Sequence, residues 1–172
     1  MAYFTNLKEV AKYLKGNNED NIKSTLWPKY YLHYLPQSTD TKQLIRIEEI
    51  NGGYFGTRFG AKYRPVGSID LSIKTGEQTA EIDWWMINDE LHDKWTPGLY
   101  APILSKLESQ EMRQLLLSYA ENQAKKHECN KIKRDVHKSL NEYNHSLKEN
   151  GFILTNDKAD DNSYWLKTYK YI

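Results

Sequence analysis

The run from Thr79 to Asn88, Thr-Ala-Glu-Ile-Asp-Trp-Trp-Met-Ile-Asn, constrains the fold more than any other stretch of this chain. Its residues alternate with a period of two, setting Glu81, Asp83, Trp85 and Ile87 against Ile82, Trp84 and Met86. That period specifies a strand, because a helix would scatter the same residues around its axis. Carboxylates are depleted from strands, so Glu81 and Asp83 either face water on an open sheet surface or line a cleft. Unbroken alternation predicts that Trp84 joins Ile82 and Met86 in the core. Trp85 would then share the side of the carboxylates.

Length and composition set the frame for that strand. The chain has 172 residues, which predicts a single domain over residues 1–172 with room for a sizeable core. Hydrophobic residues make up 39%, supplemented by thirteen tyrosines and five tryptophans that bury large amphipathic surfaces. A formal net charge of +1 argues against a protein whose affinity comes mainly from nucleic acid or acidic membranes. The one cysteine, Cys129, excludes an internal disulfide and fits a reducing compartment. The first residues lack a basic segment leading into an apolar run, and no apolar window reaches membrane-spanning length. A cytoplasmic protein without a membrane partner is the expectation.

Taken in order, Asn6 caps a short helix through Leu14, with Leu7, Val10, Ala11 and Leu14 on one face. Leu26 to Leu35 is read as helix, with Pro28 in its first turn and Trp27 and Tyr31 sharing a face. From Gln43 the period changes to two, and Asn51-Gly52-Gly53 signals a hairpin. Tyr54–Lys62 returns as a strand, Pro65-Val66-Gly67 reads as a turn, Ser68–Ile73 as a strand and Thr75-Gly76-Glu77 as another turn. The result is an antiparallel meander of up to four strands. Ser109 is the predicted cap of a long helix with Met112, Leu115, Leu116, Tyr119, Ala120 and Ala124 on its core stripe. Lys131–His137 reads as a strand. Ser139 opens a second helix that stops at Asn150-Gly151, and two short strands close the chain.

The order meander, long helix, strand, helix ending in Gly-Phe, two strands resembles the GNAT acetyltransferase superfamily. Residues 140–152, LNEYNHSLKENGF, are similar to that family's fourth helix. Leu115-Leu116 and Ala120 stand where its third helix carries paired leucines and an alanine. The resemblance runs from about Ser68 to the C-terminus. It implies an α+β fold: a GNAT-like mixed, largely antiparallel central sheet flanked by helices. It also implies an N-acetyltransferase that takes acetyl-CoA as co-substrate and a small-molecule or protein amine as acceptor.

Site residues follow from the same resemblance. In the family the opening strand splays from its neighbour and pairs with the cofactor's pantetheine, which points to Met86, Ile87 and Asn88. Ser109 and Gln110 at the helix start and Asn141 on the later helix are the other expected cofactor contacts. The family's pyrophosphate loop is glycine-rich, whereas residues 107–112 here contain no glycine and no arginine but include Glu108 and Glu111. Glu81 or Asp83 would be the base, unless both are solvated strand carboxylates. The family's acid tyrosine falls at Leu147, so Tyr143, one turn earlier on the same face, would donate in its place; a tyrosine there is ordinarily core. The alternative is a non-catalytic GNAT-like binding module that has lost the phosphate loop. Asp135, His137 and His145 lack a second clustered ligand pair, so no metal site is expected. The basic stretch Lys125–Lys138 reads as a solvated helix end.

Overall fold

Cross-strand pairing organises this protein, and strand positions explain most of its core. The computed structural model describes residues 2–16, 28–34, 41–51, 62–87, 104–137, 141–155 and 165–172. Among these residues eight strands form one sheet: β1 (Ala2–Phe4), β2 (Tyr30–Tyr34), β3 (Lys42–Asn51), β4 (Lys62–Lys74), β5 (Thr79–Ile87), β6 (Lys131–His137), β7 (Ile153–Thr155) and β8 (Trp165–Tyr171). Their spatial order is β1-β2-β3-β4-β5-β6-β8-β7. Every neighbouring pair is antiparallel except β5 and β6, which run parallel. Among the described residues three helices flank it: α1 (Leu7–Leu14), α2 (Lys106–Lys126) and α3 (Asn141–Glu149). The architecture is α+β, with a mixed, largely antiparallel sheet and flanking helices, as expected.

Local sequence accounts for the helices. Asn6 caps α1 by accepting from the Glu9 N–H at 3.0 Å, and Glu9 reaches back to the Thr5 N–H at 2.8 Å, a reciprocal arrangement that satisfies two orphan donors. Helix α3 ends where Gly151 takes φ +84°, a left-handed conformation that glycine adopts without steric cost. Helix α2 begins earlier than the sequence suggested. Its cap is Ser105, not Ser109, because Ser105 and Glu108 form a capping box.

Helices α1 and α2 pack against each other, and α2 covers one face of β4, β5 and β6. Met112, Leu116, Tyr119, Ala120 and Ala124 of α2 are buried against Ile69, Leu71, Ile73, Ala80 and Ile82. The closest approach is at Gly67, where an added Cβ would stand 2.6 Å from Met112 Sδ. Gln43, on the same face of β3, accepts from the Tyr119 hydroxyl at 2.5 Å and donates to Gln123 at 3.1 Å. On β8, the Lys170 ammonium pairs with Glu121 of α2 at 2.7 Å and donates to the Asn150 carbonyl beyond α3 at 2.8 Å. One cation thus ties both crossover helices to the closing strand.

Three expectations need correction. Tyr30–Tyr34 is a strand rather than part of a helix, bonded to β1 on one side and β3 on the other; two sheet neighbours outweigh an ambiguous local pattern. Pro65-Val66-Gly67 is no turn, since β4 runs straight through it. Ile47 pairs with Gly67 and Glu48 with Pro65, leaving Val66 as the extra residue of a bulge, where a proline without an N–H is tolerated. The third concerns the paired tryptophans. Leu71 pairs with Ile82 and Asp70 with Trp84, so Asp83 is the extra residue of a second bulge. A bulge shifts every later side chain to the other face. Trp85 and Ile87 therefore continue the buried face of Ala80 and Ile82, while Trp84 turns outward with 57% exposure. The hairpin at Asn51-Gly52-Gly53, the Tyr54 to Ala61 part of a strand, Ser139 and Asn88 lie outside the described residues.

This reversal sets a measurement. Trp85→Ala empties a core position and should cost ~3–5 kcal/mol of unfolding free energy in urea. Trp84→Ala should stay within about 0.5 kcal/mol of the parent. Equal losses, or a larger loss at Trp84, would contradict the bulge at Asp83.

Candidate active site

Strands β5 and β6 pair only at Thr79–Lys131, Ala80–Ile132 and Glu81–Lys133. Beyond Glu81, β5 keeps β4 on one side up to Ile87, and β6 keeps β8 on its far side up to His137. Among the described residues the two strands have no further pairing with each other, so their facing edges border a splay. Arg134 sits at its apex. Its guanidinium donates to the Ile82 carbonyl at 3.4 Å, lies 5.9 Å from the centre of the Trp85 ring and is only 9% exposed. Met86 and Ile87 lie on the splayed end of β5, bonded to β4 through Ser68 and Gly67. Successive strand residues direct their N–H and C=O to opposite edges, so one of the two turns them toward the gap.

The sheet face opposite the helices is polar. Ser72 stands across from Glu81, and Asp70 across from Trp84. Glu81 accepts from Lys133 at 3.2 Å and also pairs with Lys74. Burial pushes its carboxyl up, but the two ammonium groups outweigh burial and hold it below the usual range. Asp83 is exposed on the bulge and accepts from the Ser72 hydroxyl. Asp70 was not singled out from the sequence. Burial pushes its carboxyl up, Lys42 at 3.9 Å pulls it down, and the nearby Asp83 charge pushes it up further. The outward phase of Asp70 in Ser68–Ile73, set against an acidic neighbouring strand, was the signal that could have found it.

The start of α2 is closed by its own chain. Glu108 accepts from the Ser105 N–H at 3.0 Å and the Ser105 hydroxyl at 2.8 Å, while the Glu108 N–H donates to Ser105 Oγ at 3.3 Å. Lys29, just before β2, donates to the same carboxylate at 2.7 Å, and the Tyr30 hydroxyl adds a contact at 3.3 Å. The Lys29 ammonium, followed by the Ser105 N–H, holds the Glu108 carboxyl down at about 2. Ser109 and Gln110, expected at a phosphate-binding helix start, lie instead within the helix. The Ser109 N–H already donates to the Ser105 carbonyl at 2.8 Å, so it offers no free donor. The Ser-x-x-Glu spacing of residues 105–108 is a capping-box signature visible in sequence, and it outranks the Ser109 reading.

The expected residues therefore divide between places. Glu81 and Asp83 share the polar face, Met86 and Ile87 line the splay, and Ser109 and Gln110 sit in the first turns of α2. Tyr143 and Asn141 are on α3. A strand edge beside the splay can hydrogen-bond an extended, amide-bearing ligand through its backbone. A helix start filled by a carboxylate does not suit a diphosphate. A groove of about 290 Å³ between α1 and α2, lined in part by Leu7, Ala11, Leu115 and Tyr119, lies on the helical side, away from the polar face. Among the described residues no helix is long and apolar enough to cross a membrane.

No protein-family model matches the chain. Over 101 residues it is 34% identical to a levansucrase from Streptococcus mutans serotype c (strain ATCC 700610 / UA159), a match covering 59% of this chain and only 12% of that protein's length. Solved structures share its fold at low identity. A nourseothricin acetyltransferase superposes with a TM-score of 0.51 at 13% identity, covering 80% of this chain and 68% of that one. An acetyltransferase from Streptococcus agalactiae 2603 gives 0.50 at 15% identity, with 76% and 67% covered. A protein from Klebsiella pneumoniae subsp. pneumoniae MGH 78578, assigned as an acyl-CoA N-acyltransferase, gives 0.52 at 12% identity, with 83% and 97% covered.

Two of the shifted carboxylates, Glu108 and Asp70, set opposite pH dependences. Folding lowers the Glu108 carboxyl from 4.5 to about 2, so its contribution to stability is complete above pH 4.5 and is lost as pH falls toward 2. The stability gap between the parent and Glu108→Gln should shrink over that window in urea titrations. Asp70 is raised above 3.8 in the fold, so its ionisation costs stability as pH rises. Asp70→Asn should be more stable than the parent at neutral pH, and the gain should vanish below pH 3.8. A gain that persists in acid would contradict the buried Asp70 carboxylate.

Proposed function

This chain carries the GNAT acetyltransferase fold, and on that premise we propose that it is an N-acetyltransferase built as one domain over residues 1–172. It moves an acetyl group from acetyl-CoA to an amine on a small molecule or a protein. The observation that carries this reading is the splay between β5 and β6, bordered by the strand that also presents Asp83 to the polar face. Acetyl-CoA supplies a thioester carbonyl. In the transfer a C–N bond forms and the C–S bond breaks; the attacking amine must shed a proton, and the departing thiolate must gain one.

We assign the base to Asp83 rather than Glu81. Glu81 is already balanced by Lys74 and Lys133, and a carboxylate held below its usual range is a weak base. Asp83 is exposed, and Ser72 fixes one of its oxygens. Met86 and Ile87 offer backbone to the thioester arm, with Asn88 next in the chain. Tyr143 is the proposed proton donor to the thiolate, and Asn141 a further donor contact.

One observation favours a second reading, a GNAT-like module that binds a partner and catalyses nothing. The start of α2, where the fold's cofactor phosphates would sit, is occupied by Glu108 and neutralised by Lys29.

Thiol release from acetyl-CoA in the presence of assorted amines separates the two. Asp83→Asn should lower kcat by roughly 10²–10⁴-fold with KM close to unchanged, and Glu81→Gln should lose less. A parental kcat in Asp83→Asn removes the base assignment. Absence of both turnover and calorimetric binding removes the enzyme and leaves the module.

A further inference from the structure

We propose that the groove between α1 and α2 is a binding site for an apolar monocarboxylate, a molecule with one anionic head and a hydrocarbon body. The site stands apart from the splay and does not depend on the acetyltransferase reading.

The groove follows from where the two helices carry small residues. On α1, Ala11 stands three residues after Lys8 and four before Lys15, so the three share one stripe. On α2, Ser118 stands four residues after Gln114 and four before Asn122, again on one stripe. Short side chains between longer ones open a hollow of about 290 Å³, and every residue lining it is a described one. Its apolar surface comes from Leu7, Leu14, Leu115 and Tyr119, each no more than 9% exposed. That volume is at the lower end for small-molecule pockets, which favours a compact ligand over a docked helix.

The rim selects the sign of the ligand. Lys8 and Lys15 stand exposed on the α1 wall. Lys29, Lys74, Lys133 and Lys170 are all engaged by carboxylates, whereas neither Lys8 nor Lys15 has an ion pair among the described residues. Glu111 is the single acid among the lining residues, so cations outnumber it. On the α2 wall, Gln114, Ser118 and Asn122 add neutral N–H and O–H donors that suit carboxylate oxygens. The two lysines are about 10 Å apart along the helix, so one pairs with the head and the other attracts it from within about a Debye length. The hydrocarbon body displaces water from the leucine surface. An ammonium head would meet like charge on the α1 wall instead.

Sodium octanoate is the probe, titrated calorimetrically into the full chain at low salt. Binding should saturate with a Kd of about 1 mM or tighter. Butyrate should bind at least about tenfold more weakly because it buries less hydrocarbon, and octylammonium should bind at least about tenfold more weakly because its charge is opposite. Lys8→Gln together with Lys15→Gln should weaken octanoate about tenfold, and the loss should shrink as salt is raised. Ala11→Leu fills the hollow with a good helix former and should abolish binding. Neither variant touches a fully buried residue, and thermal melts verify that both are folded. The proposal is overturned if octanoate shows no saturable binding to the parent, or if octylammonium binds as well. Parental affinity in Ala11→Leu also overturns it, because octanoate would then sit elsewhere, the splay included. No acetyl transfer is read in these titrations, so their outcome is separate from that of the acetyltransferase reading.

Discussion

Only Thr79, Ala80 and Glu81 of β5 find partners on β6, and the cleft of this protein depends on where that pairing stops. Beyond it β5 follows β4 while β6 follows β8. A gap inside a sheet exposes backbone donors and acceptors that are costly to leave unmade. Two features limit that cost at the apex. Arg134 supplies a donor to the Ile82 carbonyl, and the bulge at Asp83 bends β5 next to that point, as bulges do. A charged side chain in the core is itself unfavourable. Arg134 offsets this by lying over the face of Trp85, a placement that suits a planar, weakly hydrated cation.

The bulge also decides which chemistry reaches which side. Without it Trp84 would be in the core and Asp83 would alternate in step with Glu81. With it, four apolar pairs from Ile73–Ala80 to Gly67–Ile87 meet α2, while Ser72, Asp70, Glu81, Asp83 and Trp84 share the other face. Of the basic residues on that face, Lys42, Lys74 and Lys133 are drawn into pairs with Asp70 and Glu81. Asp83 is bonded instead to a neutral hydroxyl. The charge of this face is thus sorted within a few residues into ion pairs at Asp70 and Glu81 and a hydroxyl-bound carboxylate at Asp83.

Elements with one strong periodicity were legible in the sequence: α1 with its Asn6 cap, the core stripe of α2, β6, and the Gly151 stop of α3. The order of elements carried the fold class. What stayed hidden depends on pairing between distant segments. Whether a residue is bulged is settled by the partner strand, so alternation over Glu81–Ile87 gave the wrong side for both tryptophans. Pro65 looked like a turn because its missing N–H is harmless only at a bulge that β3 creates. Tyr30–Tyr34 carries too short a pattern to reveal that both its edges are paired. That one strand carries both Glu81 and Asp83 was visible, whereas their different environments, set by Lys74, Lys133 and Ser72, were not.

The pairing of Lys29 with Glu108 joins residues 79 positions apart. A contact of that span must meet the loop-closure entropy of the intervening chain before it contributes. The ion pair that seals α2 is therefore among the nonlocal steps of folding, even though the Ser105–Glu108 box beside it is local. A nascent chain would possess the capped helix before it possesses the counter-ion. The charge at that helix end thus reports whether the N-terminal strands have docked, which makes the junction a natural marker of native topology.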